Sequence, residues 1–143
     1  MLGRKDYTRE ELDHAKAQIQ AQITTYDAMV AAATPAKPSK DQLAARVAFE
    51  AVFFNNLLLA LDRPFVHRVR GVTGKDGNAL NEVEVICESL MTNAGVLQPI
   101  TVLKVTPETS VLGLVFGESV HLTEDQFVCL SGAFFADLEA KFT

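Results

Sequence analysis

The sequence contains few of the residues that supply chemistry by themselves. Its 143 residues include two cysteines, three histidines and no tryptophan. Neither Cys87 nor Cys129 lies in a Cys-x-x-Cys or Cys-His spacing, so we expect no zinc or redox site and two reduced, buried thiols. The histidines are scattered, with no pairing on a common helix face that would hold a metal ion. The sequence therefore predicts no metal site.

Long apolar runs and a signal sequence are also missing. No uninterrupted apolar run approaches the roughly 20 residues that a bilayer-spanning helix requires. The early charges between Met1 and Arg9 are not followed by the apolar stretch of a secretory signal. We therefore expect a cytoplasmic protein without membrane contact.

Complete motifs for catalysis or cofactor binding are absent. The glycines of Gly71-Val-Thr-Gly-Lys-Asp76 are too closely spaced for a phosphate loop, and an acid stands where that loop needs Ser or Thr. Asp76-Gly-Asn78 begins like a calcium loop, but its later oxygen ligands are missing. No Gly-x-Ser-x-Gly turn presents a nucleophile. We therefore predict no cofactor and no catalytic residue, and a non-enzymatic protein is favoured over an enzyme.

The composition that remains is that of a folded domain. Hydrophobic residues make up 48% of the chain and charged residues 22%, values that are ordinary for globular proteins. A chain of this length can bury about two-thirds of its unfolded surface in one core. We expect a single domain over residues 1–143, with residues 1–7 as a flexible tail.

Three capping boxes predict where the long helices begin. They are Thr8-Arg-Glu-Glu11, Ser39-Lys-Asp-Gln42 and Thr123-Glu-Asp-Gln126. The prolines of Thr34-Pro-Ala-Lys-Pro38 end the first helix, and so short a connection predicts an antiparallel αα-hairpin. Asn78 is a suitable N-cap for a third, amphipathic helix.

The stretch after position 98 changes from helical periodicity to β-branched segments. Ile100–Val105 and Ser110–Phe116 predict strands, and Gly117-Glu118 before Ser119–Leu122 resembles a hairpin turn. The fold class expected is therefore α+β: a long N-terminal αα-hairpin, a third helix, a small antiparallel sheet of two or three strands, and a C-terminal helix.

The second helix carries more apolar residues than one buried stripe requires. Leu43, Val47 and Ala51 form a narrow stripe, whereas the stretch from Val52 to Leu61 is apolar on nearly all sides. Asn55 and Asn56 interrupt it and point about 100° apart, so at least one needs a polar partner beside apolar neighbours. That asparagine is either a core amide or, together with Phe65, part of a ligand pocket.

The last helix combines a face of large residues with a stripe of small ones. Its large face is expected to enter the core, and the small stripe consists of Cys129, Ala133, Ala136 and Ala140. Small residues allow helix axes to approach closely, and twofold pairing is the commonest closed assembly. We therefore expect a homodimer formed through this stripe or through the highly apolar end of the second helix.

One basic segment stands out in an acidic protein. The net charge is −5, yet Arg63, Arg68, Arg70 and Lys75 give residues 63–75 a charge of +4 and leave −9 for the remainder. With His67 they could bind a phosphate or carboxylate group, whether the segment is a strand or a loop. Alternatively, the arginines bind acids of the same chain. The overall negative charge argues against double-stranded nucleic acid.

Three functions remain open at this stage. The leading hypothesis is a non-enzymatic intracellular interaction protein that associates with itself. The first alternative is a binding module for a small anionic ligand at the basic segment. The second alternative is a small-molecule enzyme whose site assembles from Asn55, His67 and Arg68 near the end of the second helix.

Overall fold

A computed structural model describes residues 3–143 of the protein, which fold into five α-helices and one short 3-10 turn. The helices are α1 (Arg9–Ala33), α2 (Lys40–Asp62), α3 (Arg70–Thr73), α4 (Ala79–Thr92) and α5 (Glu124–Phe142), and the 3-10 turn is Arg63–Phe65. Helices α2, α4 and α5 make the most extensive contacts with one another. α1 completes the body by packing on α2 and α5.

The helix starts follow the sequence signals. All three predicted capping boxes are present, each with the cap hydroxyl accepting from the third backbone amide and that residue's side chain accepting from the cap amide. The side chain of Asn78 caps α4 as expected by accepting from the amide of Asn81. Helices α1 and α2 pack against each other, which confirms the predicted αα-hairpin.

The core is built mainly from large side chains of α1, α2, α4 and α5. The apolar stripe of α1 is buried as far as Tyr26, and α2 contributes four buried apolar residues from its second half. The expected large face of α5 is completely buried, and α4 buries Leu80 and Cys87 on its apolar side. Lys16, the one polar interruption of the α1 stripe, lies half-buried with its ammonium group 5.7 Å from the Phe135 ring.

The predicted sheet is wrong, and with it the α+β fold class. The residues that the structure describes contain no strand, only the isolated bridges Arg4–Arg68 and Val96–Ser119. Exposed residues do alternate with buried ones from Val102 to Val105, and with half-buried ones from Val111 to Phe116. The two segments, however, form no backbone hydrogen bonds with each other. The alternating pattern therefore indicates which side chains face inward, but it does not identify the hydrogen-bond partners of the backbone.

A buried carboxylate organises the loop that replaces the sheet. The side chain of Glu82 on α4 accepts from the backbone amide of Val111 at 2.6 Å, from that of Leu112 at 3.2 Å and from the hydroxyl of Ser110 at 2.8 Å. Backbone groups that a partner strand would satisfy are here satisfied by one side chain. The loop therefore has ordered hydrogen bonds without a ladder.

The segment after α2 is neither strand nor open loop. Phe65 is buried in the 3-10 turn, His67 is exposed in the turn that follows, and Val69 caps the short helix α3. The amide of Arg4 donates to the carbonyl of His67 at 2.6 Å, and the amide of Val69 donates to the carbonyl of Arg4 at 2.9 Å.

Residues that were expected to form a flexible tail make contacts with this segment. Tyr7 is buried, with its ring centroid 4.9 Å from that of Phe65 and 5.5 Å from that of Phe142. Its backbone amide donates to the carbonyl of Phe142 at 2.8 Å. The chain before α1 is thereby attached to both the end of α2 and the end of α5.

The αα-hairpin extends beyond the body. The last buried residue of α1 is Tyr26 and the first buried residue of α2 is Phe54, and no residue between positions 28 and 49 is buried. We call residues 28–49 the arm. At 1.5 Å per residue, the ten arm residues of α2 extend it by about 15 Å.

Candidate functional site

The basic segment is held by acids of the same chain. The guanidinium group of Arg68 is almost fully buried and donates to the Asp62 carboxylate at 2.8 Å and to the carbonyls of Phe65 and Leu80 at 2.9 and 3.3 Å. It also lies 5.4 Å from the centroid of the Phe134 ring. Arg68 therefore holds the end of α2 against α4 and α5.

Arg70 has a similar partner nearer the surface. Its two terminal nitrogens donate to the two carboxylate oxygens of Glu84 at 2.6 and 2.9 Å. This hydrogen bonding raises the pKa of Arg70 above its usual value. Both arginines are thus engaged with internal carboxylates, as the alternative interpretation of the basic segment predicted.

The three remaining basic residues of the segment are exposed. Arg63, His67 and Lys75 form no ion pair within the part of the chain that the structure describes. They lie on three different local elements: the 3-10 turn, the turn after it and the loop after α3. Anion binding by Arg63, His67 and Lys75 stays a prediction. Arg68 and Arg70 are not available to the same ligand, because they bind carboxylates of the same chain.

The two adjacent asparagines have different environments. Asn55 donates to the carbonyl of Val120 at 2.8 Å and accepts from the amide of Leu122 at 3.1 Å, so it pairs with an extended segment as a neighbouring strand would. Asn56 is exposed and donates only to the carbonyl of Val52 in its own helix at 2.8 Å. Asn55 is the asparagine that needed a partner.

Two neighbouring cavities lie along α2 on the side of α4, and they share no lining residue. The apolar cavity has a volume of about 500 Å³ and is lined by Val52, Asn55 and Leu59 of α2, Leu90 of α4 and the segment that contains Val120. The charged cavity has a volume of about 280 Å³ and is lined by residues that include Asp62, Arg68, Glu84, Cys87 and Glu88. We call the two cavities together the α2–α4 groove, with an apolar part and a charged part.

The three residues of the hypothetical enzyme site do not share a cavity. Asn55 lines the apolar part of the groove, Arg68 lines the charged part, and His67 points to solvent. Burial strongly raises the pKa of the Cys87 thiol, so this residue is an unreactive core group. Within residues 3–143, no group of three or more His, Cys, Asp or Glu side chains is arranged to hold a metal ion.

Between positions 44 and 59, one face of α2 carries no charge. At 100° per residue, seven exposed or half-buried residues fall on this face, which we call the neutral face: Ala44, Val47, Ala48, Ala51, Val52, Asn55 and Leu59. Lys40 and Asp41 lie on the same side of the helix at its start and Asp62 at its end. Val47 retains 65% of its accessible surface and Val52 60%. The neutral face begins on the arm and continues directly into the apolar part of the α2–α4 groove.

The sequence pattern placed part of this surface incorrectly. Leu43, Val47 and Ala51 read as a stripe that packs on the domain, but Leu43 and Val47 are exposed because the body ends before the arm begins. At the base of the arm, Phe49 stacks on Tyr26 of α1 with ring centroids 5.7 Å apart, and Val30 packs against the core. The sequence feature that indicated an exposed apolar surface was that α2 has more apolar residues than one buried stripe requires.

The small-residue stripe of α5 is also at the surface. Cys129, Ala136 and Ala140 are exposed and Ala133 is half-buried, so the expectation that both cysteines are buried is wrong for Cys129. Val128 is the one large apolar side chain of α5 that is exposed. This stripe offers less apolar surface than the neutral face.

Three carboxylates meet where the arm joins the body. The amide of Glu124, the first residue of α5, donates to the Glu50 carboxylate of α2 at 3.1 Å. Burial, followed by a hydrogen bond to the Asp27 carboxyl and repulsion from Asp27, Asp125 and Glu50, raises the pKa of Glu124 to about 7. These neighbours favour the protonated form of Glu124 over its charged form.

Helix α2 also has the length and composition of a membrane-spanning helix, which the sequence expectation excluded. An 18-residue window within Lys40–Phe65 has a mean hydropathy of 1.4, and 17% of that window is buried. A core helix can pass this test by composition alone, and the second half of α2 does supply Phe54, Leu57, Leu58 and Leu61 to the core. The residues of α2 that are not buried belong to the arm and to the neutral face.

The chain matches no protein-family model, and neither a curated protein nor a solved structure is significantly similar to it.

Proposed function

We propose that this protein is a non-enzymatic interaction protein that forms a homodimer through the neutral face of α2. The observation that carries the proposal is the exposure of Val47 and Val52 on a face that runs for about four helical turns without a charge. Contiguous apolar surface of this kind is typical of protein interaction sites, because leaving it in water costs free energy.

The neutral face is favoured over the α5 stripe for a physical reason. Valine and leucine side chains each contribute about 1.5 to 3 kcal/mol when fully buried, whereas alanine has little apolar surface to bury. The neutral face combines such residues with Ala44, Ala48 and Ala51, which allow a partner helix to approach closely. The α5 stripe supplies only the small residues.

The proposal places the protein in the cytoplasm. Cys87 and Cys129 are both free, and Cys129 is exposed. An exposed free thiol suits a reducing compartment, where it does not form unwanted disulfides.

The test is the oligomeric state of the native protein and of a Val47→Glu, Val52→Glu double variant. We expect the native protein to sediment as a dimer at micromolar concentration and the variant to remain folded as a monomer, because burying four carboxylates at a symmetric interface is costly. Sedimentation velocity over a range of concentrations measures both states, and circular dichroism verifies the fold.

Two variants serve as matched controls. Val102→Glu places the same change at a valine that is 55% exposed in the loop before α5, and it should leave the dimer intact. Ala136→Glu tests the α5 stripe in the same way. A native protein that is monomeric at all concentrations contradicts the proposal, and dissociation by Ala136→Glu alone moves the interface to α5.

A further inference from the structure

We propose that the second copy binds along α2 in the antiparallel direction, so that the Lys40 end of each α2 lies against Glu88 of the other subunit. This inference rests on the function proposed above and adds the direction and the polar contacts of the interface. It follows from three observations: the position of the neutral face along α2, the continuity of this face with the α2–α4 groove, and the charges at its two ends.

The neutral face is centred on the middle of its helix. Ala51 lies midway between Lys40 and Asp62, the two ends of α2, and about 16 Å from each. A twofold axis that passes near Ala51 brings each residue of the first half of α2 opposite a residue of the second half in the partner, as an isologous dimer requires. Val47 of one copy then lies opposite Asn55 of the other.

The two halves of this surface differ in shape. The first half belongs to the arm, where α2 protrudes and Val47 is exposed. The second half is one wall of the α2–α4 groove, whose apolar part is a cavity of about 500 Å³. Antiparallel pairing places the protruding half of each copy in the groove of the other, the arrangement by which helices usually bind grooves.

The charges at the two ends are complementary. The arm carries three cations, Lys37, Lys40 and Arg46, and one acid, Asp41, so its net charge is +2 and the rest of the chain carries −7. At the far end of the groove, Arg68 and Arg70 neutralise Asp62 and Glu84.

Glu88 is the acid that remains at that end of the groove. It is exposed and forms no ion pair within residues 3–143, where it accepts only from the hydroxyl of Thr92 in its own helix at 3.3 Å. Antiparallel pairing brings the basic arm to this acid. Parallel pairing would bring the two basic arms together, and their like charges would repel. It would also leave the apolar surface of both grooves exposed to water.

The experiment is a charge exchange with Lys40→Glu and Glu88→Lys. Both positions are exposed, so neither variant should disturb folding. Each variant alone places like charges at two symmetric contacts, and we expect its dimer to dissociate about 10-fold more readily at low salt. In an equimolar mixture of the Lys40→Glu and Glu88→Lys variants, a heterodimer regains attraction between opposite charges. Native mass spectrometry should therefore show a heterodimer fraction well above the one-half that random pairing gives.

Matched controls use exposed charges away from α2. Lys5→Glu and Glu108→Lys repeat the same two charge changes and should give dimers of native stability and a statistical mixture. Raising the salt concentration should reduce the preference for heterodimer, because the contacts lie near solvent.

The outcomes separate this inference from the proposed function. A native dimer that the Val47→Glu, Val52→Glu variant dissociates, together with a statistical Lys40→Glu and Glu88→Lys mixture, overturns the antiparallel arrangement and leaves the homodimer in place. A monomeric native protein overturns both. If that monomer also floats with vesicles containing anionic phospholipid, and Lys40→Glu reduces the flotation, the basic arm binds a membrane surface instead of a second copy.

Discussion

Asn55 binds the backbone on either side of His121 by donating to the carbonyl of Val120 at 2.8 Å and accepting from the amide of Leu122 at 3.1 Å. One amide side chain on a helix thereby satisfies two backbone groups of an extended segment. Val120 and Leu122 are both buried, so water does not replace these hydrogen bonds. The segment lies against α2 without belonging to a sheet.

We predict that Asn55→Ala lowers the free energy of unfolding by about 2 to 3 kcal/mol, because it leaves a buried carbonyl and a buried amide without partners. Asn56→Ala is the matched control, since Asn56 is exposed and bonds only within its own helix. We expect it to change stability by less than about 0.5 kcal/mol. Urea unfolding measures both, and equal effects would show that Asn55 does not hold the segment.

The two arginine pairs should differ in their contribution to stability. Arg68→Met leaves the carboxylate of Asp62 buried without its partner, and we expect a loss of about 3 to 5 kcal/mol. Arg70→Met removes a pair that is about one-third exposed, and we expect a loss below about 1 kcal/mol. Chemical denaturation measures both losses. A stable Arg68→Met protein that no longer binds phosphate would instead support the anion-site hypothesis.

The pH dependence of stability should report on Glu124. Its pKa is about 7 in the folded protein and near 4.5 when unfolded, so the folded state binds more protons between these values. Stability should therefore fall as pH rises from about 4.5 to 7, and Glu124→Gln should remove this dependence. Because Glu124 is partly exposed, we expect a gain of about 1 kcal/mol at pH 8.

Denaturation at pH 5, 6, 7 and 8 measures this effect. Glu10→Gln, a change in the exposed first turn of α1, is the control and should leave the pH dependence unaltered. A native protein whose stability rises between pH 5 and 8 as Glu124 ionises would show that this carboxylate is stabilised by ionisation, contrary to the geometry at the arm junction.

Two glycines should respond in opposite ways to alanine. Gly77 has a φ of +86°, and a Cβ atom there would lie 2.4 Å from the carbonyl oxygen of Lys104. Gly77→Ala should therefore cost at least about 2 kcal/mol through strain and overlap. Gly71 has open space around it, so Gly71→Ala should be neutral or slightly stabilising. Thermal unfolding compares the two, and a neutral Gly77→Ala would mean that Lys104 can move aside.

Local signals determined the helices and their faces from the sequence. Capping boxes act within four residues, so the starts of α1, α2 and α5 could be predicted, and the periodicity of α5 identified its buried face. Local periodicity does not account for Asn81, a polar residue of α4. It is fully buried because its side chain accepts from the amide of Gly77 and donates to the carbonyl of Gly74.

The sequence by itself thus determined the four longer helices, that one asparagine of α2 needed a partner, and that the arginines would bind either acids of the same chain or an external anionic group. Only the tertiary structure decided between those alternatives, because the partners lie far along the chain: Glu84 for Arg70 and Val120 for Asn55. It also decided that Ile100–Val105 and Ser110–Phe116 form no sheet, since the carboxylate of Glu82 satisfies backbone groups that a strand would otherwise pair. The exposure of the arm was decided in the same way, because a helix stripe is buried only as far as the body of the domain reaches.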